Sequence, residues 1–235
     1  MNKKERYDAW VDRVCDFIEE VGPRLGKCAS AFQSKPILEK QVDALFLGYN
    51  AHEDYPFAGV NRERFYEGNP FFYKEQYTKK WNNDWKVWSK PYGMFKWADY
   101  LNPMTDGNFI FMNAIYFGSK DMKQFNTIPG SKEATQKCLD LTGEVIQEVF
   151  KPKCIVCFSI KQCFDPLNNK YKFTDVKEQT FKIYNSEKDA KYGVKKGMWN
   201  NIPVYGMIHP SMRISNDDLG AIVLYLQKEM QQLGI

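Results

Sequence analysis

Short apolar runs separated by polar segments are the clearest pattern along the chain, and four of them predict strands. The runs cover residues 42–47, 109–112, 154–158 and 203–208. Each is followed directly by a glycine or a polar residue, and short apolar runs with such boundaries are typical of strands buried on both faces. The pattern therefore predicts a sheet that other elements cover on both sides.

Three other segments repeat apolar residues every three or four positions, which predicts amphipathic helices. The first covers residues 3–21, the second covers residues 131–150, and the third begins near residue 216. Gly22-Pro23 and Pro152 are expected to end the first two. The predicted buried positions are Trp10, Val14, Phe17 and Val21; then Ala134, Cys138, Leu141, Val145 and Val149; and last Leu219, Ile222, Val223, Leu226, Met230 and Leu233.

The order of these elements predicts an α/β fold. The strand at 109–112, the helix at 131–150 and the strand at 154–158 form the strand–helix–strand unit of a parallel sheet. We expect one three-layer α/β/α domain over residues 1–235, with a central, mainly parallel, four-stranded sheet.

Two segments lie outside this frame. Residues 68–107 are an insertion whose 74–97 stretch interleaves lysines with aromatic residues. Such a stretch suits a polyanion with stackable bases, although a surface cover with its lysines in water is the open alternative. Residues 165–202 are polar and contain one strand-like piece at 180–184, so we expect an excursion on the rim of the fold.

Composition and motifs exclude several classes of function. Hydrophobic residues at 43% and charged residues at 26% are ordinary for a globular domain, which excludes a disordered chain. A formal net charge of +4 permits a nucleic-acid partner without requiring one. The glycine-rich dinucleotide motif, the P-loop, the nucleophile elbow and the zinc-protease motif are missing from the sequence.

Six cysteines are scattered along the chain, which begins without an apolar signal segment. We therefore expect reduced thiols in a cytoplasmic protein. Cys154 and Cys157 have the C-x-x-C spacing of a metal pair, but positions three apart on a strand face opposite sides. We expect no metal site there, and no run of about 18 apolar residues predicts a membrane span.

The carboxyl ends of the predicted strands select the candidate site, because ligands of open parallel sheets bind there. Asn50, Asn113 and Ser159 follow the first three strands, and His209 and Ser211 follow the last. Histidine can donate to a ligand oxygen, and a buried amide needs a partner in the fold or on a ligand. Structural roles stay open: a turn residue for Asn50, an interior amide for Asn113 and a carbonyl-bonded residue near a helix cap for His209.

Four short pieces occur in an order that a known family shares. LFLGYN at 45–50 resembles a first motif, 57–66 resembles the glycine-asparagine-aromatic stretch after it, 111–113 resembles a strand ending in asparagine, and His209-Pro210-Ser211 matches the start of a second motif. Together they resemble the uracil-DNA glycosylase superfamily, closest in motif style to its mismatch-specific and single-strand-selective branches. Ala51 stands where members carry proline.

This resemblance implies a monofunctional hydrolase of DNA repair that flips a nucleotide and cleaves the N-glycosidic bond of uracil or a related damaged or mismatched base, as in base excision. Asn50 would position the water or stabilise the sugar cation, and His209 would stabilise charge on the departing base. The remaining implied roles are reading of the base edge by Asn113, stacking by Tyr55 or Phe57, phosphate binding by Ser211, and a wedge in the DNA made by Met212 and Arg213.

The expected partner is DNA, with no cofactor, metal or iron–sulfur cluster, and the chain is expected to be a monomer. A second interpretation is a binding module of the same fold that holds a nucleobase or nucleic-acid strand without cleaving it. The altered first motif and the modest net charge favour this alternative. An unrelated α/β enzyme is the third hypothesis.

Overall fold

A computed structural model describes residues 1–69, 108–182 and 189–235. The fold is α/β with a six-stranded mixed sheet in the order β2-β1-β3-β6-β5-β4. The strands are β1 Ala44–Asn50, β2 Phe109–Ile115, β3 Cys154–Phe158, β4 Thr174–Gln179, β5 Val194–Trp199 and β6 Ile202–Met207. The helices are α1 Lys3–Leu25, α2 Arg64–Glu67, α3 Met122–Phe125, α4 Ser131–Glu144, α5 Asp165–Tyr171 and α6 Asn216–Gln232, with π-helical turns at Val145–Phe150 and Ile160–Phe164.

The chain divides into two compact units. The first contains Met1–Gln41, Gly48–Asn69 and Ile110–Lys151. The described residues of the second are Val42–Leu47, 108–109, 152–182 and 189–235. That residues 1–235 act as one domain stays a prediction.

Helix α1 is longer than its sequence pattern predicts. Asn2 caps it through a capping box with Glu5, and it continues through Gly22-Pro23 instead of ending there. The helix ends at Gly26, whose φ of 62° lets its N–H reach the Gly22 carbonyl at 2.8 Å. Pro23 lacks the N–H that a helix uses, and its ring crowds the preceding turn. The helix nevertheless continues past Pro23 and ends one turn later. The buried positions are Tyr7, Trp10, Val11, Val14, Cys15, Ile18, Gly22 and Leu25, while Phe17 and Val21 lie at the margin.

An aromatic cluster forms the core of the first unit. The Trp10 indole N–H donates to the Leu141 carbonyl at 2.8 Å, and the Tyr7 hydroxyl donates to the Phe65 carbonyl. The Phe32 ring contacts Tyr7, Trp10 and Phe65 edge to face. Buried tyrosine and tryptophan need such partners for their polar tips, so the cluster fixes α1 on this unit.

Helix α4 and its π-helical extension confirm the predicted helix at 131–150. All five positions of its predicted apolar face are buried. Lys151 leaves the helix with a φ of 44°, and Pro152 follows. The helical period alone was sufficient here because one face is fully buried.

Strands β1 and β2 extend three residues beyond their predicted ends, to Asn50 and to Ile115. Asn50 is therefore the last residue of β1, and Asn113 lies inside β2 instead of following it. The strand continues because a ladder is made by the backbone, whatever side chain follows the apolar run.

The second unit contains β3 to β6 together with Ala44–Leu47 of β1. β3 occupies its predicted bounds and is parallel to both β1 and β6. The prediction of four strands is wrong, because the segment at 165–202 adds β5 antiparallel to β6 and β4 antiparallel to β5. All six side chains of β4 are exposed, so this strand has no apolar alternation for a sequence pattern to detect. Within the strand-like piece predicted at 180–184, Lys182 forms a single bridge with Asp189. Residues 183 and 184 lie outside the described ranges.

Helix α6 is tied to the sheet by a polar cluster. The carboxylate of Glu229 forms an ion pair with Lys196 of β5 and accepts from the Tyr205 hydroxyl of β6 at 2.9 Å. Burial alone would raise the pKa of Glu229, but the hydrogen bonds from Lys196 and Tyr205 outweigh it, so that this pKa lies below its ordinary value of 4.5. Ser215 caps the helix, which begins at the predicted Asn216.

The aromatic and lysine-rich stretch at 74–97 lies outside the described residues. In the parts of the chain that are described, no helix is both long and apolar enough to cross a membrane.

Candidate functional site

The Asn50 amide is anchored at the carboxyl end of β1. Its Nδ2 donates to the backbone oxygens of Ala51 and Ser119, each at 3.1 Å. Because both partners are carbonyl oxygens, the side-chain atom that contacts them must be the amide nitrogen. The two contacts use both N–H groups of this nitrogen. Across residues 1–69, 108–182 and 189–235, no group donates to Oδ1, so this oxygen can accept from a water or a ligand.

Asn113 has its partners inside the first unit. The side chain is only 3% exposed, and its Nδ2 donates to the Ser30 carbonyl at 3.0 Å. Its backbone N–H donates to Ala31 at 2.7 Å. The nitrogen end of the amide is thus bonded within the fold, as in the structural role that the sequence left open for this residue.

The two aromatic residues proposed for stacking differ in their surroundings. The Phe57 ring lies against the backbone of Gly22 in α1, where a β-carbon would have no room. Tyr55 is 66% exposed, although its carbonyl accepts from the Cys28 N–H at 3.0 Å. Phe57 therefore anchors the loop to α1, and Tyr55 is the ring that is accessible to a base.

The acidic side chains of the same loop are engaged. Asp54 forms an ion pair with Lys27, and Glu53 accepts from the Ser30 hydroxyl at 3.4 Å. The ion pair offsets part of the negative charge that the sequence places next to Asn50.

His209 is oriented by the residue two positions later. The backbone N–H of Ser211 lies 3.2 Å from Nδ1, and the Ser211 hydroxyl lies 2.7 Å from the same atom. A backbone N–H can only donate, so Nδ1 accepts and the neutral ring carries its proton on Nε2. The half-buried imidazole is thus a donor of fixed tautomer at the carboxyl end of β6.

Ser159 adjoins this point from β3. Its N–H donates to the Met207 carbonyl of β6 at 3.0 Å, and its hydroxyl accepts from the Gln162 N–H at 3.1 Å. Its φ of 110° is a conformation that favours glycine, and non-glycine residues in such conformations cluster at functional sites.

The turn after β6 presents the proposed DNA-contacting side chains. Ser211 and Arg213 are exposed, and Met212 is 50% exposed. The Met212 N–H donates to the His209 carbonyl at 2.9 Å and closes the turn. Side chains on such a turn can reach a polyanion without rearrangement of the sheet.

The predicted site residues are divided between the two units. Asn50, Tyr55, Phe57 and Asn113 belong to the first, and residues 209–213 belong to the second. Within the second unit, the structure brings His209 and Ser211 into direct contact. Within the first, Asn50 and Asn113 bond to different loops. That unit also holds a cavity of about 230 Å³ that none of the predicted residues lines.

Five of the six cysteines are buried, Cys28 is half-buried, and the two with C-x-x-C spacing have different neighbours. The Cys154 thiol contacts the Asp43 carbonyl, whereas Cys157 neighbours Cys163, whose thiol donates to the Leu47 carbonyl at 3.4 Å. Burial raises the pKa of Cys138 and of Cys154 to about 12, so these thiols stay protonated at neutral pH. The described residues contain no group of three or more histidine, cysteine or carboxylate side chains placed to hold a metal ion.

Comparisons with protein-family models, with curated proteins and with solved structures found no match.

Proposed function

We propose that the chain is a DNA glycosylase of the uracil-DNA glycosylase type, which hydrolyses the bond between deoxyribose and uracil or a related damaged or mismatched base. The observation that carries this proposal is the tautomer of His209, whose Nδ1 accepts from the Ser211 N–H. As the bond breaks, negative charge develops on an oxygen of the departing base. An Nε2–H donor stabilises a charge of this kind.

Asn50 supplies the second role. The carbon–nitrogen bond to the base breaks with its electron pair leaving on the base, the sugar carbon becomes cationic, and a water oxygen bonds to it while the water proton passes, directly or through solvent, to the departing base anion. An amide is too weak a base to take that proton, so Asn50 holds the water through Oδ1. The two N–H contacts to Ala51 and Ser119 support this role, because they keep Oδ1 as the available acceptor.

The finer fold assignment belongs to the same proposal: a three-layer domain of the uracil-DNA glycosylase type. It is supported by the parallel order β1-β3-β6, with the first motif at the end of β1 and the second between β6 and α6. Tyr55 is the stacking residue, since Phe57 already packs on Gly22. Asn113 positions the 30–31 segment, since its amide is bonded there. DNA is held by Ser211, Met212 and Arg213.

The test uses single- and double-stranded oligonucleotides that contain uracil, treated with alkali after incubation to reveal abasic sites. We expect strand scission, and Asn50→Ala and His209→Ala should each lower kcat/KM by about 10²–10⁴-fold. His52→Ala is the matched control, because it removes the other histidine of the chain from an exposed position.

Full activity in both variants would remove the site assignment. Measurable binding of DNA with no abasic sites, on uracil and on other damaged or mismatched bases, would replace the glycosylase with the non-catalytic binding module.

A further inference from the structure

The cavity of the first unit lies between two segments that are distant in sequence. One wall is residues 28–32, and the other is formed by Ala58, Gly59, Asn61, Arg64 and Phe65. Phe32 is 2% exposed and Phe65 is 3% exposed, so both rings give the cavity a buried apolar surface.

The wall at 28–32 is a backbone edge. This segment pairs antiparallel with β2 and with the residues just after β2. The pairing consists of two single bridges, Ala29 with Phe117 and Phe32 with Met112. The hydrogen bonds around these bridges come from the flanking residues, as when the Ser30 N–H donates to Tyr116 at 2.7 Å. In such a pair the N–H groups of Ala29 and Phe32 point away from the partner strand. Within the described ranges no protein group accepts from either, and both residues line the cavity.

Arg64 provides the positive charge of the cavity. It is half-buried, and its guanidinium makes no hydrogen bond or ion pair with the described residues. Two residues earlier, Arg62 is paired with Asp12 on the surface. A partly desolvated cation without a partner is costly, and a bound anion would offset that cost.

Among the described residues that line the cavity, none is acidic. The carboxylates that contact the two wall segments are engaged: Glu53 accepts from the Ser30 hydroxyl, and Glu19 accepts from the Val60 N–H at 2.7 Å. The lining itself therefore combines one cation, outward N–H groups and two aromatic rings.

We propose that this cavity is a binding site for a small planar carboxylate, with the carboxylate on Arg64 and the apolar body against Phe32 and Phe65. A guanidinium matches a carboxylate through two parallel hydrogen bonds, which favours a planar anion. A cavity of about 150 Å³ accommodates benzene, so in proportion this one accommodates roughly nine heavy atoms. That is the size of benzoate.

The test is a titration of the full ¹⁵N-labelled chain with benzoate, followed by NMR and without DNA, so its result is independent of the glycosylase proposal. We expect saturable shifts confined to the amides of 28–32 and 58–65. Benzamide has the same shape without the charge and should bind at least about tenfold more weakly, because charge-assisted hydrogen bonds are about twice as strong as neutral ones.

The decisive variants are Arg64→Gln, which should weaken benzoate binding at least about tenfold for the same reason, and Arg62→Gln, which removes an equal charge outside the cavity and should leave binding unchanged. If Arg64→Gln fails to fold, Ala58→Phe should abolish binding by filling the cavity from its exposed rim. Equal binding of benzoate and benzamide, equal losses in the two arginine variants, or no saturable shift at any benzoate concentration the protein tolerates would overturn the proposal.

Discussion

The amide oxygen of Asn113 lies 2.7 Å from the point that a β-carbon on Gly48 would occupy. Asn113 is itself held by the Ser30 carbonyl, so it cannot move aside without losing a buried hydrogen bond. The glycine of the first motif is therefore required by packing within the first unit, whatever role the motif has in chemistry.

Gly48→Ala should lower the free energy of unfolding by about 1–3 kcal/mol through overpacking, measured by urea denaturation. Gly220→Ala is the matched control: nothing lies within 4 Å of a β-carbon in this helix, so it should raise stability by about 0.5–1 kcal/mol. Adding Asn113→Ala to Gly48→Ala should remove most of the overpacking loss. Independent, additive effects of the two changes would contradict the contact.

Ser159 combines a helix-capping hydroxyl with an unfavourable φ. Ser159→Ala loses the hydrogen bond to the Gln162 N–H and should cost about 1 kcal/mol, whereas Ser159→Gly relieves the backbone and should be at least as stable as the parent chain. Ser215 is the control, because it caps α6 at an ordinary φ of −67°. Ser215→Gly should be slightly less stable than the parent chain. If Ser159→Gly were also less stable than the parent chain, the positive φ at Ser159 would store no strain.

The ring proton of His209 can be measured directly. At a pH where the ring is neutral, ¹⁵N NMR should locate the ring proton on Nε2, because Nδ1 accepts from the Ser211 backbone N–H. Ser211→Ala keeps that backbone donor and should keep the tautomer. The exposed His52 gives an internal reference in the same spectrum. A protonated Nδ1 in the neutral ring would remove the donor on which the glycosylase proposal depends.

The cluster around Glu229 predicts a pH dependence of stability. Its pKa is lower in the folded chain than in the unfolded chain, so the stabilisation is complete above about pH 4.5 and is lost as the pH falls through the folded value. Glu229→Gln should cost about 1–3 kcal/mol at pH 7, since hydrogen bonds to charged groups are lost, and the difference from the parent should shrink in acid.

Glu148→Gln is the control for this pH series. Its side chain is exposed and has no partner among the described residues, so its effect should be small and independent of pH. A constant difference between Glu229→Gln and the parent from pH 7 to pH 3 would contradict the lowered pKa.

Sequence patterns were sufficient where burial dominates. β3 and α4 are buried along a strand or along one helix face, so apolar residues mark both. β4 could not be found this way, because all six of its side chains are exposed. β4 is held in the sheet by its pairing with β5, and a periodic pattern within its own sequence cannot reveal that pairing.

The candidate site was predictable in part. The strand-end rule selected Asn50 and His209, and both lie where β1 and β6 end. The orientation of their polar atoms depends on Ser119 and Ser211, and the first of these contacts spans 69 residues. The cavity wall joins 28–32 with 58–65, and that no described residue pairs with Arg64 is a property of three-dimensional placement that residue types do not reveal.

The exposed strand β4 has a consequence for behaviour at high concentration. Open sheet edges recruit other chains and seed filaments. Here the outermost described strand carries Asp175, Lys177 and Glu178, and its pairing shifts register between Thr174 and Lys177, where Asp175 has a φ of 52°. A charged, kinked edge is a poor template for a further strand, so crowded molecules should stay dispersed instead of growing edge to edge.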